Sequence, residues 1–95
     1  MTPRSIKELR GWIAEMHNRL GNIKFSEMVS LAESVGRTKR PGSSPPMYVS
    51  PLKGRRALPI HFHPGCMKKG TARASLNIIE GDIDAWELQI EEDTR

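Results

Sequence analysis

The stretch RTKRPGSSPPMYVSPLKGRRALPIHFHPGC, residues 37–66, decides the fold. Pro41, Pro45, Pro46, Pro51, Pro59 and Pro64 recur through it. Each removes a backbone donor and clashes with the preceding turn of a helix, so no long helix can form before Lys68. What remains available is short extended chain: an edge strand near residues 37–40, a strand near 47–50, a turn at 51–54 and a third strand from 56 to about 62. Prolines this frequent suit strand ends and sheet edges.

Outward from this stretch the pattern is helical on both sides. Toward the N-terminus, Ile6, Leu9, Trp12 or Ile13, Met16 and Leu20 recur at three and four residues. Thr2 is the cap, Pro3 the first helical position and Gly21 the stop. A second helix runs from Phe25 or Ser26 to Val35, with Ser26 as cap, an apolar face of Met28, Val29, Leu31, Ala32 and Val35, and Gly36 as terminator. Toward the C-terminus, Ala72, Leu76 and Ile79 predict a helix over residues 71–79. Gly81-Asp82 is read as a break, and a last helix over 82–90 carries Ile83, Trp86, Leu88 and Ile90. The expected architecture is therefore α+β: a three-stranded antiparallel sheet with the helices from Phe25 and Thr71 on one face, plus an extra helix at each end. The expected divisions are a helical extension at 1–21, a central domain at 22–80, and a C-terminal helix with an acidic, frayed tail at 81–95.

The chain is 95 residues long with 37% apolar and 5% aromatic content, which suits one modest core built on aliphatic side chains with Trp12 and Trp86 as the large pieces. Cys66 is the single cysteine and has no internal disulfide partner. Charges interrupt the first twenty residues where a secretory signal needs an apolar run, and no window suits a membrane span, so the expected location is cytoplasmic.

Charge is distributed unevenly. Residues 1–36 hold five basic and four acidic side chains, residues 37–79 nine basic and no acidic, and residues 80–95 one basic and seven acidic. A cationic stretch without carboxylates attracts a polyanion through phosphate pairing and counterion release. Lys68-Lys69-Gly70-Thr71 opens a helix, whose N-terminal N–H groups favour an anion, and Arg73 follows a turn later. A solvated basic surface and an ordinary helix start are the plain alternatives. DNA binding has the charge, but no helix pair shows helix-turn-helix spacing with base-reading residues on the second helix.

Over residues 24–79 the order of these features resembles the HicA-type, or YcfA-like, toxins, which cleave messenger RNA and have a double-stranded-RNA-binding-domain-like fold. Residues 25–36 resemble the family's first helix, Arg40-Pro41-Gly42-Ser43 its basic Gly-Ser turn, Met47-Tyr48 its second strand, and residues 57–64 its third. Lys68-Lys69-Gly70-Thr71-Ala72-Arg73 is similar to the opening of its second helix. The resemblance implies a toxin of a type II toxin–antitoxin pair: a metal-independent endoribonuclease that uses no cofactor, binds RNA through Arg40, Gly42, Ser43, Lys68, Lys69, Thr71 and Arg73, and is covered by a HicB-like antitoxin. The added helices could dock on the core or pair two copies as a homodimer.

One departure bears on catalysis. The family's Gly-Ser pair is usually followed by a histidine that assists attack of the ribose 2′-hydroxyl on the adjacent phosphate, and this position is Ser44. A serine has no group titrating near neutral pH, so a general-base contribution of roughly a hundredfold to ten-thousandfold would be missing. Three accounts follow. Ser44 is an inactivating replacement of a natural histidine; or His61 or His63 supplies the base beside Arg40, Lys68 or Lys69; or the chain is a non-catalytic RNA-binding or protein-interaction module. His61, His63 and Cys66 are too few for a closed zinc site. Tyr48 and Phe62 are the aromatics nearest the basic region, either core or base-stacking groups.

Overall fold

The computed structural model describes residues 1–94. Helix α1 spans Pro3–His17, α2 Phe25–Ser34 and α3 Lys69–Asp93; strands β1 Thr38–Lys39, β2 Met47–Val49 and β3 Leu58–Pro59 lie between α2 and α3. The strands form one antiparallel sheet in the order β1-β2-β3, with Thr38 opposite Val49, Lys39 opposite Tyr48, and Tyr48 opposite Leu58. The α+β expectation therefore holds at the level of a three-stranded antiparallel sheet with helices. The third strand is shorter than its pattern suggested. Pro59 cannot donate to a ladder, and beyond it only the Ile60 N–H continues the pairing, to the Pro46 carbonyl at 3.2 Å.

One face of the sheet turns Tyr48 and Leu58 into the interior, while Met47 and Val49 on the other face are half-buried. The interior is one cluster drawn from the whole chain: Ile6, Leu9, Ile13 and Met16 of α1, Met28 and Leu31 of α2, Leu58 and Ile60 at β3, and Leu76, Ile79 and Ile83 of α3. The apolar stripe of α1 is thus covered by the chain's own core.

The helix ends follow local chemistry. Thr2 Oγ1 accepts the Ser5 N–H at 3.1 Å, as a cap should. α1 stops at His17 rather than at Gly21, and a 3-10 turn, Leu20–Asn22, follows. The Arg19 side chain sets this turn, reaching Glu15 and Glu27, each at 2.6 Å, and the Asn22 carbonyl at 2.9 Å. Hydrogen bonding to Arg19 holds the Glu27 carboxyl below its ordinary range. That contribution to stability is full above the unfolded carboxylate range and lost as pH falls through the depressed folded value. At α2 the cap is Lys24, not Ser26, because Glu27 reaches back to accept the Lys24 N–H at 3.3 Å. Gly36 ends the helix with φ +94°, a conformation that other residues adopt only under strain.

The largest correction concerns Gly81-Asp82, which does not break a helix: α3 runs through it without interruption. A Cβ at Gly81 would lie 2.6 Å from Nη2 of Arg55. Glycine is therefore the residue that lets the Arg55 guanidinium cross the helix and donate to the Ile78 carbonyl at 2.8 Å and to Asp82 Oδ1 at 2.8 Å. Asp82 is fully buried and also accepts two bonds from Arg37, from Nε at 2.6 Å and Nη2 at 2.9 Å. Arg37 in turn donates from Nη1 to the carbonyls of Tyr48 at 2.7 Å and Arg56 at 3.0 Å. Trp86 adds a further tie, from Nε1 to the Val35 carbonyl at 2.7 Å. Tertiary bonding here outweighs the roughly 1 kcal/mol by which glycine disfavours a helix interior.

Removing the carboxylate would leave Arg37 charged in the core, a loss that typically costs about 3–5 kcal/mol. Asp82→Asn should therefore lower the urea midpoint strongly at unchanged slope. Exchanging Asp82 and Arg37 together for leucine and methionine should recover part of that loss, since both fully buried charges then leave while Arg55 and the Tyr48 and Arg56 carbonyls each lose a partner.

Candidate RNA-binding cleft

Antiparallel pairing places the end of β1, the start of β2 and the end of β3 at one end of the sheet. The β1–β2 turn closes there: Arg40 N–H donates to Met47 O at 2.7 Å. Ser43 Oγ donates to Arg40 O at 2.9 Å and accepts the Met47 N–H at 3.1 Å. Gly42 takes φ +73° in the same turn. Ser43 and Gly42 are thus explained by turn geometry, and Ser44 stands exposed beside them.

After Ile60 the chain leaves the sheet through His61, Phe62 and His63, all exposed. This segment is pinned again at its far end, where the Met67 N–H donates to the Ile23 carbonyl at 2.7 Å and Cys66 bridges Lys24. Lys68 then caps α3 without a side-chain bond, and the first turn holds no acidic residue. The first helical bond runs from Ala72 N–H to Lys68 O at 2.9 Å, which leaves the N–H groups of Lys69, Gly70 and Thr71 outside the helical ladder.

Between the exit segment and this helix start lies a cleft of about 190 Å³ lined by His61, Phe62, His63, Met67, Lys68 and Thr71. A second cleft, about 220 Å³, shares Phe62 and His63 and is otherwise lined by Lys24, Phe25, Ser26, Pro64 and Gly65. Neither lining contains a carboxylate. The two imidazoles differ in what they are free to do. His63 Nδ1 accepts the Gly65 N–H at 3.2 Å, so its neutral ring carries the proton on Nε2. His61 is exposed and has no hydrogen-bond partner among the described residues.

The fold therefore gathers His61, His63, Lys68 and Thr71 into one cleft and separates them from Lys69 and Arg73. Those two, four residues apart on one side of α3, line a different groove of about 410 Å³ with His17, Arg19 and Gly21. Arg40, Gly42, Ser43 and Ser44 belong to neither cavity, though they occupy the same end of the sheet. Cys66 turns aside from the histidines, its Sγ donating to Asn22 Oδ1 at 3.5 Å. Tyr48 is core, whereas Phe62 is 72% exposed.

The cationic stretch also changes meaning, because Arg37 and Arg55 are bound to Asp82. Lys39, Arg40, Lys53, Arg56, Lys68, Lys69 and Arg73 are exposed and in no ion pair among the described residues. Sequence reasoning missed the groove that His17 lines, because His17 comes from a helix outside the predicted central domain. Comparison of the chain with protein-family models, curated proteins and solved structures gave no match.

The His63 geometry is checked by 15N NMR at a pH where the ring is neutral. The expected spectrum has His63 protonated at Nε2 and unprotonated at Nδ1, with His61 mixing both tautomers.

Proposed function

We propose that this chain is an RNA-binding endoribonuclease of the HicA toxin type, with His61 taking the base role that Ser44 lacks. The observation that carries the reading is the carboxylate-free cleft that combines His61 and His63 with Lys68 at the uncapped start of α3. A phosphate there would meet helix N–H groups, an ammonium and the Nε2–H of His63, all of which favour negative charge. The unoccupied His61 ring would accept the 2′-hydroxyl proton. The 2′ oxygen then bonds to phosphorus, the bond to the 5′ oxygen breaks, and that oxygen takes a proton from water. Charge growing on the phosphorane is stabilised by Lys68 and the helix start. The groove with Lys69 and Arg73 would carry the strand onward, and Arg40 would hold phosphate at the neighbouring turn.

In the same reading a HicB-like antitoxin covers this basic end, and the compartment is the cytoplasm. A homodimer would use the exposed Leu88 side of α3, since α1 is already covered. One observation favours a non-catalytic RNA-binding module instead: the β1–β2 turn, where the family carries its histidine, presents only hydroxyls at Ser43 and Ser44.

Growth and messenger RNA levels in bacteria expressing the chain or its Ser44→His form distinguish these readings. Arrest by the unaltered chain supports His61 as base; arrest by the histidine form alone shows that Ser44 silences the site; arrest by neither removes the toxin reading. In vitro, cutting in the presence of a chelator should yield 2′,3′-cyclic phosphate ends. His61→Ala should slow it by about a hundredfold to ten-thousandfold, and His63→Ala by less. Lys68→Ala should weaken binding of every RNA sequence and reduce the salt slope by about one.

A further inference from the structure

We propose that Phe62 is a stacking platform for an unpaired nucleobase, so that the cleft takes single-stranded RNA in preference to a duplex; this rests on the RNA-binding reading above. Phe62 is the most exposed large apolar side chain of the fold, at 72%. Single exposed apolar side chains are common on proteins; what sets Phe62 apart is that it lines two acid-free cavities, each carrying a lysine. Phe25 braces it edge-on, with ring centroids 5.5 Å apart and planes at 76°, and leaves most of it open.

The surroundings identify what would cover it. Phe62 and His63 line two cavities, one shared with Lys68 and His61, the other with Lys24. An exposed aromatic ring with a lysine in each adjoining cavity suits one nucleotide, its base on the ring and its two flanking phosphates on the lysines. The supporting segment is tied at both ends, through Ile60 to Pro46 and through Met67 to Ile23. The ring is thus presented on ordered chain, and little conformational entropy is lost on binding. A paired base hides both faces in its own stack, so a duplex offers Phe62 nothing. A purely apolar partner surface would leave Lys68 and Lys24 without counter-charge, whereas a nucleotide brings phosphates for both as well as a flat apolar face for the ring.

The test uses the whole chain and fluorescence anisotropy with a labelled 2′-O-methyl oligoribonucleotide, which has no hydroxyl to attack. The same strand is measured annealed to its complement and with an abasic position at its centre. The native chain should bind the single strand about 5-fold to 100-fold more tightly than the duplex. Phe62→Ala should lose that preference and bind the intact and abasic strands alike, while Phe62→Trp should keep it. Because only the edge contact with Phe25 is lost, the thermal midpoint of Phe62→Ala should fall by only a few degrees, and the folded chain remains to be assayed.

If Phe62→Ala holds the single strand as tightly as the native chain while Lys68→Ala weakens it, the platform is excluded and RNA binding stands. Binding of no oligonucleotide by the native chain rejects the RNA reading and the platform with it. Unchanged RNA affinity together with loss of a protein partner from Phe62→Ala also overturns the proposal.

Discussion

Asp82 is the point on which the architecture turns. Its carboxylate, without solvent exposure, receives two bonds from Arg37 and one from Arg55. Arg37 leaves the end of α2 and also binds backbone oxygens of Tyr48 in β2 and Arg56 before β3. A single buried ionic cluster thus sets the spacing between sheet and long helix. Burying the Arg37 and Asp82 charges is expensive, and apolar replacements of the same volume can equal or exceed such a pair in stability. The directional bonds give something apolar packing does not: they fix α3 along its axis relative to the strands, because a guanidinium fork accepts a carboxylate in few orientations.

That register determines where α3 begins. The helix is continuous from Asp82 back to Lys69, so its first turn meets the chain leaving β3 at His61–His63. A slip of one residue would rotate Lys68 and Thr71 by about 100° about the helix axis. The cleft therefore depends on an ion cluster some thirteen residues distant along a stiff rod. α1 contributes at the same end. The turn after it supplies the Ile23 carbonyl that holds Met67, and Arg19 fixes that turn by pairing with Glu15 and Glu27.

Where proline and periodicity act within a few residues, the sequence was readable. The six prolines of residues 41–64 excluded helix and left short strands, and Thr2, Pro3 and Gly36 marked helix ends through their own backbone chemistry. Gly81 misled because its reason lies twenty-six residues away, in the guanidinium of Arg55. Asp82 misled for the same reason: an acidic residue after glycine suggests a helix start, and nothing local reveals two arginines waiting in the fold. Counting charge by segment failed likewise, since Arg37 is interior and both it and the partly exposed Arg55 are neutralised by Asp82. His61 and His63, expected on one face of a strand by their spacing, lie instead on irregular chain beyond β3 and share a cleft there. The separation of Lys68 from Lys69 was hidden, because adjacent helical residues lie about 100° apart and only packing tells which cavity each one faces.

The charge along α3 runs against the helix dipole. Lys68, Lys69 and Arg73 gather at its positive end, no acid occupies the first turn, and the last turn holds Glu91, Glu92 and Asp93 without a base. Each such placement disfavours the isolated helix by roughly 0.3–1 kcal/mol at low ionic strength. Capping chemistry would normally place an aspartate or serine where Lys68 stands. A helix stabilised only by its own interactions would reverse this arrangement. The core and the Asp82 cluster hold the helix in spite of it, so its unsatisfied positive end stays open beside His61 and Phe62. An anion binding there relieves repulsion among the cations and completes the free N–H groups at once. For any anion that binds there, affinity and stabilisation of α3 would be the same free energy, seen from the ligand and from the fold.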